Sequence, residues 1–323
     1  MKTGIFFLIG SVMLVFACNA QSSEYSFKEQ YKVSAPASLT ISSSDGFIDV
    51  TPADGNEIQV FYIVRKNGKT LKISRQELEE EMNVEVVHNE SALKISISSK
   101  KDYKFILGDS RPDVSFRIQV PKETACDLHT SDGNITVKNL KGDQQGKTSD
   151  GDIRFADIRG AVTGATSDGN VKVATVYGPV EIRTSDGDIQ LEDIEGRVEA
   201  RTSDGTIRLT RVKGELNAKT SDGNVFFEEV SGTFTASTSD GNIRGNMIAL
   251  TNALNFRTGD GNIDVTVPGN IGMDLTIRGE SLEVPLKNFS GKSDKNFIQG
   301  KSNGGGVAVD LSTGDGHVRL AYR

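Results

Sequence analysis

The sequence contains no tryptophan, seven prolines, two cysteines and three histidines among its 323 residues. Without tryptophan the chain lacks a side chain well suited to stacking on sugars, which weakens the case for a carbohydrate-active enzyme. The histidines are scattered, at His88, His129 and His317, and show no metal-binding spacing. No phosphate-binding loop and no nucleophile motif stands out. The formal net charge of −7 disfavours nucleic acid as a partner, because the phosphate backbone is also negative.

What organises the chain is the tetrapeptide Thr-Ser-Asp-Gly, which occurs seven times at a constant step of 18 residues. Its aspartates are Asp132, Asp150, Asp168, Asp186, Asp204, Asp222 and Asp240. Relaxed copies follow at Asp260 and Asp315, and an early copy contains Asp45. A constant period without insertions is typical of stacked repeats, in which each unit buries its apolar residues against its neighbours.

Within each unit, apolar residues alternate with polar ones, which predicts strands separated by two glycine-marked corners. The third apolar column after the turn begins at Leu140 and ends at Ile248. We therefore predict an all-β fold, a single-chain parallel β-solenoid with 18-residue rungs about 4.8 Å apart. The alternative is an antiparallel meander with Asp-Gly hairpins, but a meander does not require identical turns at identical spacing.

The first 18 residues are predicted to be a lipoprotein signal peptide. Lys2 gives a positive start, and residues 5–17 form an apolar run that is short for a membrane-spanning helix. The run ends in Val-Phe-Ala-Cys, which resembles a bacterial lipobox whose cysteine, here Cys18, is lipidated. Lipidated Cys18 would anchor the protein to a membrane without spanning it. The alternative is an ordinary signal peptide with an incidental cysteine.

Two regions are predicted after the signal peptide. Residues 19–125 are interpreted as a tether and an irregular β region that caps the open end of the solenoid, because unpaired strand edges invite aggregation. This region includes one short acidic helix over residues 74–82. Residues 126–323 hold the repeats and the closing strands. With Cys18 acylated, Cys126 has no disulfide partner, and we interpret it as a small buried apolar residue.

The column of aspartates raises the question of metal binding, because carboxylates stacked about 4.8 Å apart repel each other by about 0.9 kcal/mol per pair in water. Calcium would offset this repulsion, and Asp150 with Asp152, or Asp186 with Asp188, comes nearest to an oxygen ligand set. We favour the alternative that the seven aspartates are structural and cap N–H groups of the turns, assisted by serine and threonine hydroxyls.

Basic residues flank the aspartates, which argues against a row of calcium ions, and we expect no cofactor. They are Lys147, Arg183, Arg201, Lys219 and Arg257 in one column and Arg154, Lys172, Arg208 and Arg244 in another.

Asparagine recurs after the Asp-Gly pairs, which predicts a partial ladder of side-chain amides along the stack. The residues are Asn134, Asn170, Asn224, Asn242 and Asn262. Aromatic residues interrupt the outward polar columns at Tyr177 and Phe226. Every acidic residue of the repeats has a near-identical copy one rung away, so no unique catalytic cluster stands out. We therefore predict that the protein is not an enzyme.

Three segments carry a family resemblance: the serial Ser-Asp-Gly-Asn/Asp-Ile-x-Val units, the strand Ile118-Gln119-Val120-Pro121, and the closing Gly-Gly-Val-Ala-Val-Asp-Leu-Ser-Thr-Gly-Asp-Gly. At these segments the chain resembles the "putative adhesin" family of bacterial exported β-helix domains of unknown function. The resemblance covers most of residues 40–323 and implies an exported β-helix. It brings no catalytic residues with it.

Three functions remain open at this point. The first is an envelope-anchored, non-catalytic module that binds or adheres, since repetitive faces suit an extended polymer, a glycan or a protein. The second is a structural or stress-related periplasmic envelope protein, and the third is a carbohydrate-active β-helix enzyme. We expect an outer-membrane lipoprotein, with its surface or periplasmic orientation open.

Overall fold

The computed structural model describes residues 25–100 and 112–323, and in these residues the chain is all-β apart from one short helix. The N-terminal elements are β1 (Phe27–Lys32), β2 (Ala37–Ser42), β3 (Ile48–Ala53), β4 (Glu57–Lys66), β5 (Lys69–Thr70), α1 (Arg75–Glu81), β6 (Met82–His88), β7 (Ala92–Ser99), β8 (Asp113–Pro121) and β9 (Thr124–His129). The repeats contain β10 (Ile135–Lys138), β11 (Gln144–Lys147), β12 (Ile153–Arg159), β13 (Val162–Ala165), β14 (Val171–Tyr177), β15 (Val180–Arg183), β16 (Ile189–Glu195), β17 (Val198–Arg201), β18 (Ile207–Lys219), β19 (Val225–Ser237) and β20 (Ile243–Thr258). The closing strands are β21 (Ile263–Val267), β22 (Met273–Arg278), β23 (Ser281–Glu283), β24 (Phe289–Ser293), β25 (Phe297–Ser302), β26 (Val307–Thr313) and β27 (His317–Tyr322).

The repeats stack as parallel strands, which confirms a β-solenoid-like fold and excludes the meander. Ile153 in β12 pairs with Val171 in β14, and Val171 pairs with Ile189 in β16, so paired residues lie 18 positions apart. The shorter strands β11, β13, β15 and β17 pair in the same way. Like side chains therefore lie above one another and form continuous columns.

Each rung has three corners, one more than the glycine pattern indicated. The Thr-Ser-Asp-Gly turn forms the first, and a recurring glycine such as Gly160, with φ at 147°, forms the third. Between them lies a residue in the left-handed region, with φ between 53° and 59° in every case. These residues are Asn139, Asp157, Thr175, Asp193, Arg211 and Glu229. Because none of them is glycine, the sequence carried no simple signal for this corner.

The core is one continuous stack of apolar columns. Ile153, Phe155 and Ile158 of one rung are each at most 1% exposed, and their counterparts above and below are buried as well. The same cluster of buried side chains extends from Val33 to Leu320. Its continuity from end to end means that no rung has a core of its own.

The N-terminal strands continue the stack below the first Thr-Ser-Asp-Gly unit. Strand β2 pairs in parallel with β9, and β3 pairs in parallel with β10. The predicted boundary between residues 125 and 126 lies within β9. Beyond this rung the pairing becomes irregular, since β4 runs antiparallel to β8 and β1 runs antiparallel to β4. Helix α1 begins at a capping box formed by Ser74 and Glu77 and buries Leu78.

The seventh rung corrects one prediction. The constant spacing made Ile248 its third inward residue, but Met247 pairs with Val230 and is fully buried, while Ile248 is 42% exposed. The step from Asp240 to Asp260 is 20 residues. The extra residues are absorbed by register shifts between β19 and β20, which move the inward position by one.

The C-terminal strands complete the last rung. Strands β26 and β27 pair in parallel with β20 and β21. The segment between them folds outward, where β22 and β24 each pair antiparallel with β25. Strand β22 also pairs with β26, so this segment covers the end of the stack.

Candidate functional site

Threonine side chains hold the repeated turns together. The Thr202 hydroxyl lies 2.9 and 3.2 Å from the carbonyl oxygens of Ser185 and Gly187 in the preceding rung, and it accepts the Gly205 N–H at 3.2 Å. The same three contacts recur at Thr148, Thr166, Thr184, Thr220 and Thr238. The threonines therefore perform the capping that we had assigned to the aspartates.

The seven aspartates of the turns, Asp132 to Asp240, are all exposed. Within residues 25–100 and 112–323, none of their carboxylates forms a hydrogen bond or an ion pair. Their backbone N–H groups do contribute, as when Asp204 donates to the carbonyl of Ser185 at 3.0 Å. The sequence places these residues in the turn correctly, but the structure gives their carboxylates no turn contact.

Next to the turns, a ladder of side-chain oxygens connects the rungs. In each member, the Oδ1 atom accepts the backbone N–H of the corresponding residue one rung further on, at 2.8–2.9 Å. The members are Asn134, Asp152, Asn170, Asp188, Asn224, Asn242 and Asn262. The ladder thus includes all five predicted asparagines and two aspartates as well.

The carboxylates considered for calcium lie in two different environments. Asp152 and Asp188 are ladder members, whereas Asp150 and Asp186 remain exposed in the turns. In the part of the chain that the structure describes, no group of three or more histidine, cysteine or carboxylate side chains could hold a metal ion together.

The ladder is interrupted at Thr206. Its N–H is accepted by Asp188, but its own side chain accepts nothing from Asn224, so the Asn224 N–H has no partner among the described residues. Threonine carries its hydroxyl on Cβ, one bond closer to the backbone than Oδ1 of asparagine, and does not bridge the rungs. An outward backbone donor is therefore left available at this place.

The aromatic interruption of the neighbouring column falls at the same place. Two residues beyond the ladder, successive rungs carry Arg154, Lys172, Gln190, Arg208, Phe226 and Arg244. Phe226 is half-buried, and the Arg208 guanidinium lies 5.5 Å from the centre of its ring. We call the surface formed by Arg208, Asn224, Phe226, Asn242 and Arg244 the Phe226 groove.

Depressions lie on both sides of the Phe226 ring. The larger has a volume of about 480 Å³ and extends past Arg244 to His317 and Arg319, while the smaller measures about 280 Å³ and reaches Arg208. Below the ring, Phe227, Phe234 and Phe256 pack edge to face at 5.0–5.3 Å. Because aromatic packing of this kind fixes ring orientation, the groove rests on a well-ordered base.

The arginines of the groove are only loosely paired. Arg208 lies 3.5 Å from Asp188, and Arg244 lies 3.5 Å from Asp264. Exposed ion pairs at such distances contribute little, so both guanidinium groups retain donors for a ligand. By contrast, Arg211 donates to both carboxylate oxygens of Asp193 at 2.6 and 3.0 Å, and these hydrogen bonds lower the pKa of Asp193.

The internal cysteine is a core residue. Cys126 is 4% exposed, and burial raises the pKa of its thiol. A thiol that stays protonated is a poor nucleophile. His129 lies on the other face of β9, with Nε2 2.7 Å from Asp127. The alternation of the strand therefore separates Cys126 from the nearest base, as the odd spacing indicated.

Comparison with known families places the fold. Two overlapping segments, residues 34–229 and 213–321, match the family described as Toastrack DUF4097. The chain belongs to this family. The matched residues include the N-terminal strands as well as the repeats, so the Toastrack fold extends across the rung formed by β2 and β3. A comparison with curated proteins found no match.

Two solved structures are similar to this Toastrack chain. One is a "putative cell adhesion protein" from Clostridium sporogenes, with 11% identity and a TM-score of 0.21 over 92% of this chain and 99% of that one. The other is a "putative adhesin" from Bacteroides fragilis, with 14% identity and a TM-score of 0.33 over 91% of this chain and 96% of that one.

Anchoring of this Toastrack chain is a separate matter. Among the helices of the described residues, none is long and apolar enough to cross a bilayer. Cys18, the predicted lipidation site, lies outside those residues, so the lipid anchor stays a prediction.

The gap at Thr206 is the functional feature that sequence reasoning missed. A signal was present, because Thr206 is the one residue after the seven Thr-Ser-Asp-Gly turns that is neither asparagine nor aspartate. Its meaning depended on the hydrogen bond between rungs, which only the structure reveals.

Proposed function

We propose that the protein is a non-catalytic binding module of the cell envelope that recognises an extended acidic glycan through the Phe226 groove. The observation that carries the proposal is the break in an otherwise regular face. An aromatic ring, two arginines and an unpartnered backbone N–H coincide at rungs five and six. Binding residues that depart from the repeat give one place on a repetitive surface its own specificity.

Each part of the groove suits one part of an acidic sugar. The face of Phe226 offers an apolar platform for a pyranose ring, and Arg208 and Arg244 offer planar donors for a carboxylate. The Asn224 N–H and the exposed amide of Asn242 supply hydrogen bonds to hydroxyl groups. The proposal therefore assigns stacking, charge recognition and hydroxyl recognition to different side chains.

The same column explains why the ligand should be a polymer. Arg154 and Lys172 lie in line with Arg208, at the same place in earlier rungs. Because successive rungs are about 4.8 Å apart, an acidic chain that follows the stack meets further cations. Repeat proteins use elongated surfaces in this way to bind extended partners.

The envelope location in the proposal rests on the signal peptide and the lipobox. Lipidation of Cys18 would hold the solenoid at a membrane surface, and we infer an outer-membrane lipoprotein from it. Both the surface and the periplasm offer acidic glycans or similar polymers to such a module.

Affinity electrophoresis tests the proposal. The mature protein is run in native gels that contain polygalacturonic acid, hyaluronan or neutral pullulan. We expect an acidic glycan to retard the protein, an effect that weakens with added salt, and we expect Phe226→Ala to weaken retardation about tenfold. Tyr177→Ala, which removes an aromatic ring from a different face, is the matched control and should behave as wild type.

Two outcomes would contradict the proposal. Equal mobility in all gels would favour the structural or stress-related envelope role instead. Shortening of the glycan during the run would return the carbohydrate-active enzyme to first place.

A further inference from the structure

A second groove lies beyond the left-handed corner, on a different face from the Phe226 groove. It has a volume of about 300 Å³ and is lined by Lys122, Lys141, Asp157, Arg159 and Tyr177, among others. We call it the Tyr177 groove. Its size is at the lower end for small-molecule sites, so it suits a single sugar or a similar group.

Positive charge accumulates in this groove. Lys141 and Arg159 occupy the same place in successive rungs, and Lys122 lies beside them at the start of the column. Like charges on adjacent strands are destabilising. Lys141 pairs with Glu123 at 3.3 Å, but across residues 25–100 and 112–323 neither Lys122 nor Arg159 forms an ion pair.

The charge imbalance is confined to the groove. Further along the same column, Glu195 and Lys213 pair at 2.9 Å, so the opposite charges of neighbouring rungs compensate each other there. Uncompensated cations in one part of an otherwise paired column indicate a place where an external anion binds.

The aromatic residue of the groove is unusually accessible. Tyr177 is 56% exposed, and the Arg159 guanidinium lies 5.7 Å from the centre of its ring. Two other large apolar side chains of the described residues, Val87 and Ile248, share this degree of exposure, and neither lines the groove. A ring beside three cations can contact an apolar surface and an anion of the same ligand.

We propose that the Tyr177 groove binds a phosphorylated sugar, with the phosphate on Lys122, Lys141 and Arg159 and the sugar ring against Tyr177. Phosphate fits better than carboxylate because it carries up to two charges and three acceptor oxygens, which match three cations. Asp157 is the one acid lining the groove, and it is placed to accept hydroxyl groups of the sugar. The site is independent of the glycan proposed for the Phe226 groove.

Isothermal titration of the mature protein tests this assignment, with α-D-glucose 1-phosphate, glucose and inorganic phosphate as separate probes. We expect the sugar phosphate to bind about tenfold more tightly than inorganic phosphate, and glucose to show no binding. Arg159→Gln should weaken both phosphate ligands about tenfold. Tyr177→Ala should lower the affinity for the sugar phosphate to that for inorganic phosphate and leave the latter unchanged.

Lys213→Gln removes an equal charge from the same column and is the matched control, so its affinities should equal those of wild type. Phe226→Ala should also bind as wild type, which separates this result from the fate of the glycan proposal. Absence of binding by both phosphate ligands would overturn the assignment. Equal affinity for the two, or a Tyr177→Ala variant that keeps the full preference, would also overturn it.

A further arm distinguishes the two sources of such a ligand. The monosaccharide phosphate represents a soluble metabolite, and a phosphodiester-linked mannan represents an envelope polymer. Tighter binding of either one supports the groove and identifies its source.

Discussion

At the scale of residues, the repeated turn separates two roles that its sequence merges. Threonine and aspartate recur with equal regularity, so the pattern alone cannot say which of them holds the turn. In the structure, each buried threonine hydroxyl connects two rungs, while each aspartate carboxylate stays in water. A buried hydroxyl with three partners contributes to stability, and an exposed carboxylate without partners does not.

Substitutions in one turn test this division. Thr202→Val keeps the shape of the side chain but leaves two carbonyl oxygens and the Gly205 N–H without their partner, so it should lower the free energy of unfolding by about 1–3 kcal/mol. Asp204→Asn should change it by less than about 0.5 kcal/mol, and upward, because it removes one charge from a repelling row. Urea unfolding followed by circular dichroism measures both.

The same pair of variants addresses calcium. If the aspartates bind none, millimolar calcium leaves the melting temperature of wild type and Asp204→Asn unchanged. A steep rise in wild type that is absent from the variant would reinstate the metal, and an equal loss of stability in both turn variants would reinstate the aspartate cap.

The residues of the candidate site were predictable only in part. The asparagine ladder and the exceptional Phe226 could be predicted, because each appears as a pattern or a break in one column. The gap at Thr206 and the exposed Asn224 N–H could not, since they arise from a hydrogen bond between residues 18 positions apart, Asn224 and Thr206. The ladder roles of Asp152 and Asp188 were hidden for a different reason, because aspartate also suits calcium.

At the scale of elements, the left-handed corner within each rung is where the chain is strained. Six residues without glycine adopt positive φ there, and Thr175 is β-branched, a class that rarely does so. The corner recurs because the stack repeats the backbone of every rung, whichever side chain is present. Thr175 has therefore accepted the conformation that its neighbours above and below impose.

Replacing Thr175 tests the strain. Thr175→Asn should raise the free energy of unfolding by about 0.5–1 kcal/mol, because asparagine tolerates the left-handed region and already occupies this place at Asn139. Thr210→Asn, on an extended part of β18, is the control and should lower stability slightly. Thermal melts of the two variants give the comparison, and equal effects would show that the corner carries no strain.

The stacked turns make a second prediction at this scale. A Cβ at Gly205 would lie 1.9 Å from the carbonyl oxygen of Gly187, so Gly205→Ala should lower stability by at least about 3 kcal/mol. Gly164→Ala is the matched control, because its nearest contact is the flexible end of Ile182, at 3.0 Å, and alanine occupies the same column at Ala200. We expect Gly164→Ala to change the urea midpoint little, and a comparable loss in both would exclude close turn stacking as the cause.

At the scale of the molecule, the periodic part of the fold was predictable and the ends were not. A fixed period specifies which residues of neighbouring rungs pair, so the β-solenoid-like stack follows from the sequence. The end strands lack that period, and the antiparallel pairing of β4 with β8, or of β22 with β25, depends on contacts that no local pattern encodes. Ile248 failed for the same reason, because an insertion ended the period just before it.

The position of the whole solenoid relative to the membrane is the last prediction, and it rests on Cys18. We expect the wild-type protein to sediment with membranes and Cys18→Ser to remain in the soluble envelope fraction, because the variant lacks the lipid. Protease added to intact cells then determines the side. Digestion of the wild type supports a surface module that meets external glycans. Protection until the outer membrane is opened would place the Phe226 groove in the periplasm, where the structural or stress-related role becomes the stronger alternative. A Cys18→Ser protein that still sediments with membranes would exclude the lipid as its anchor.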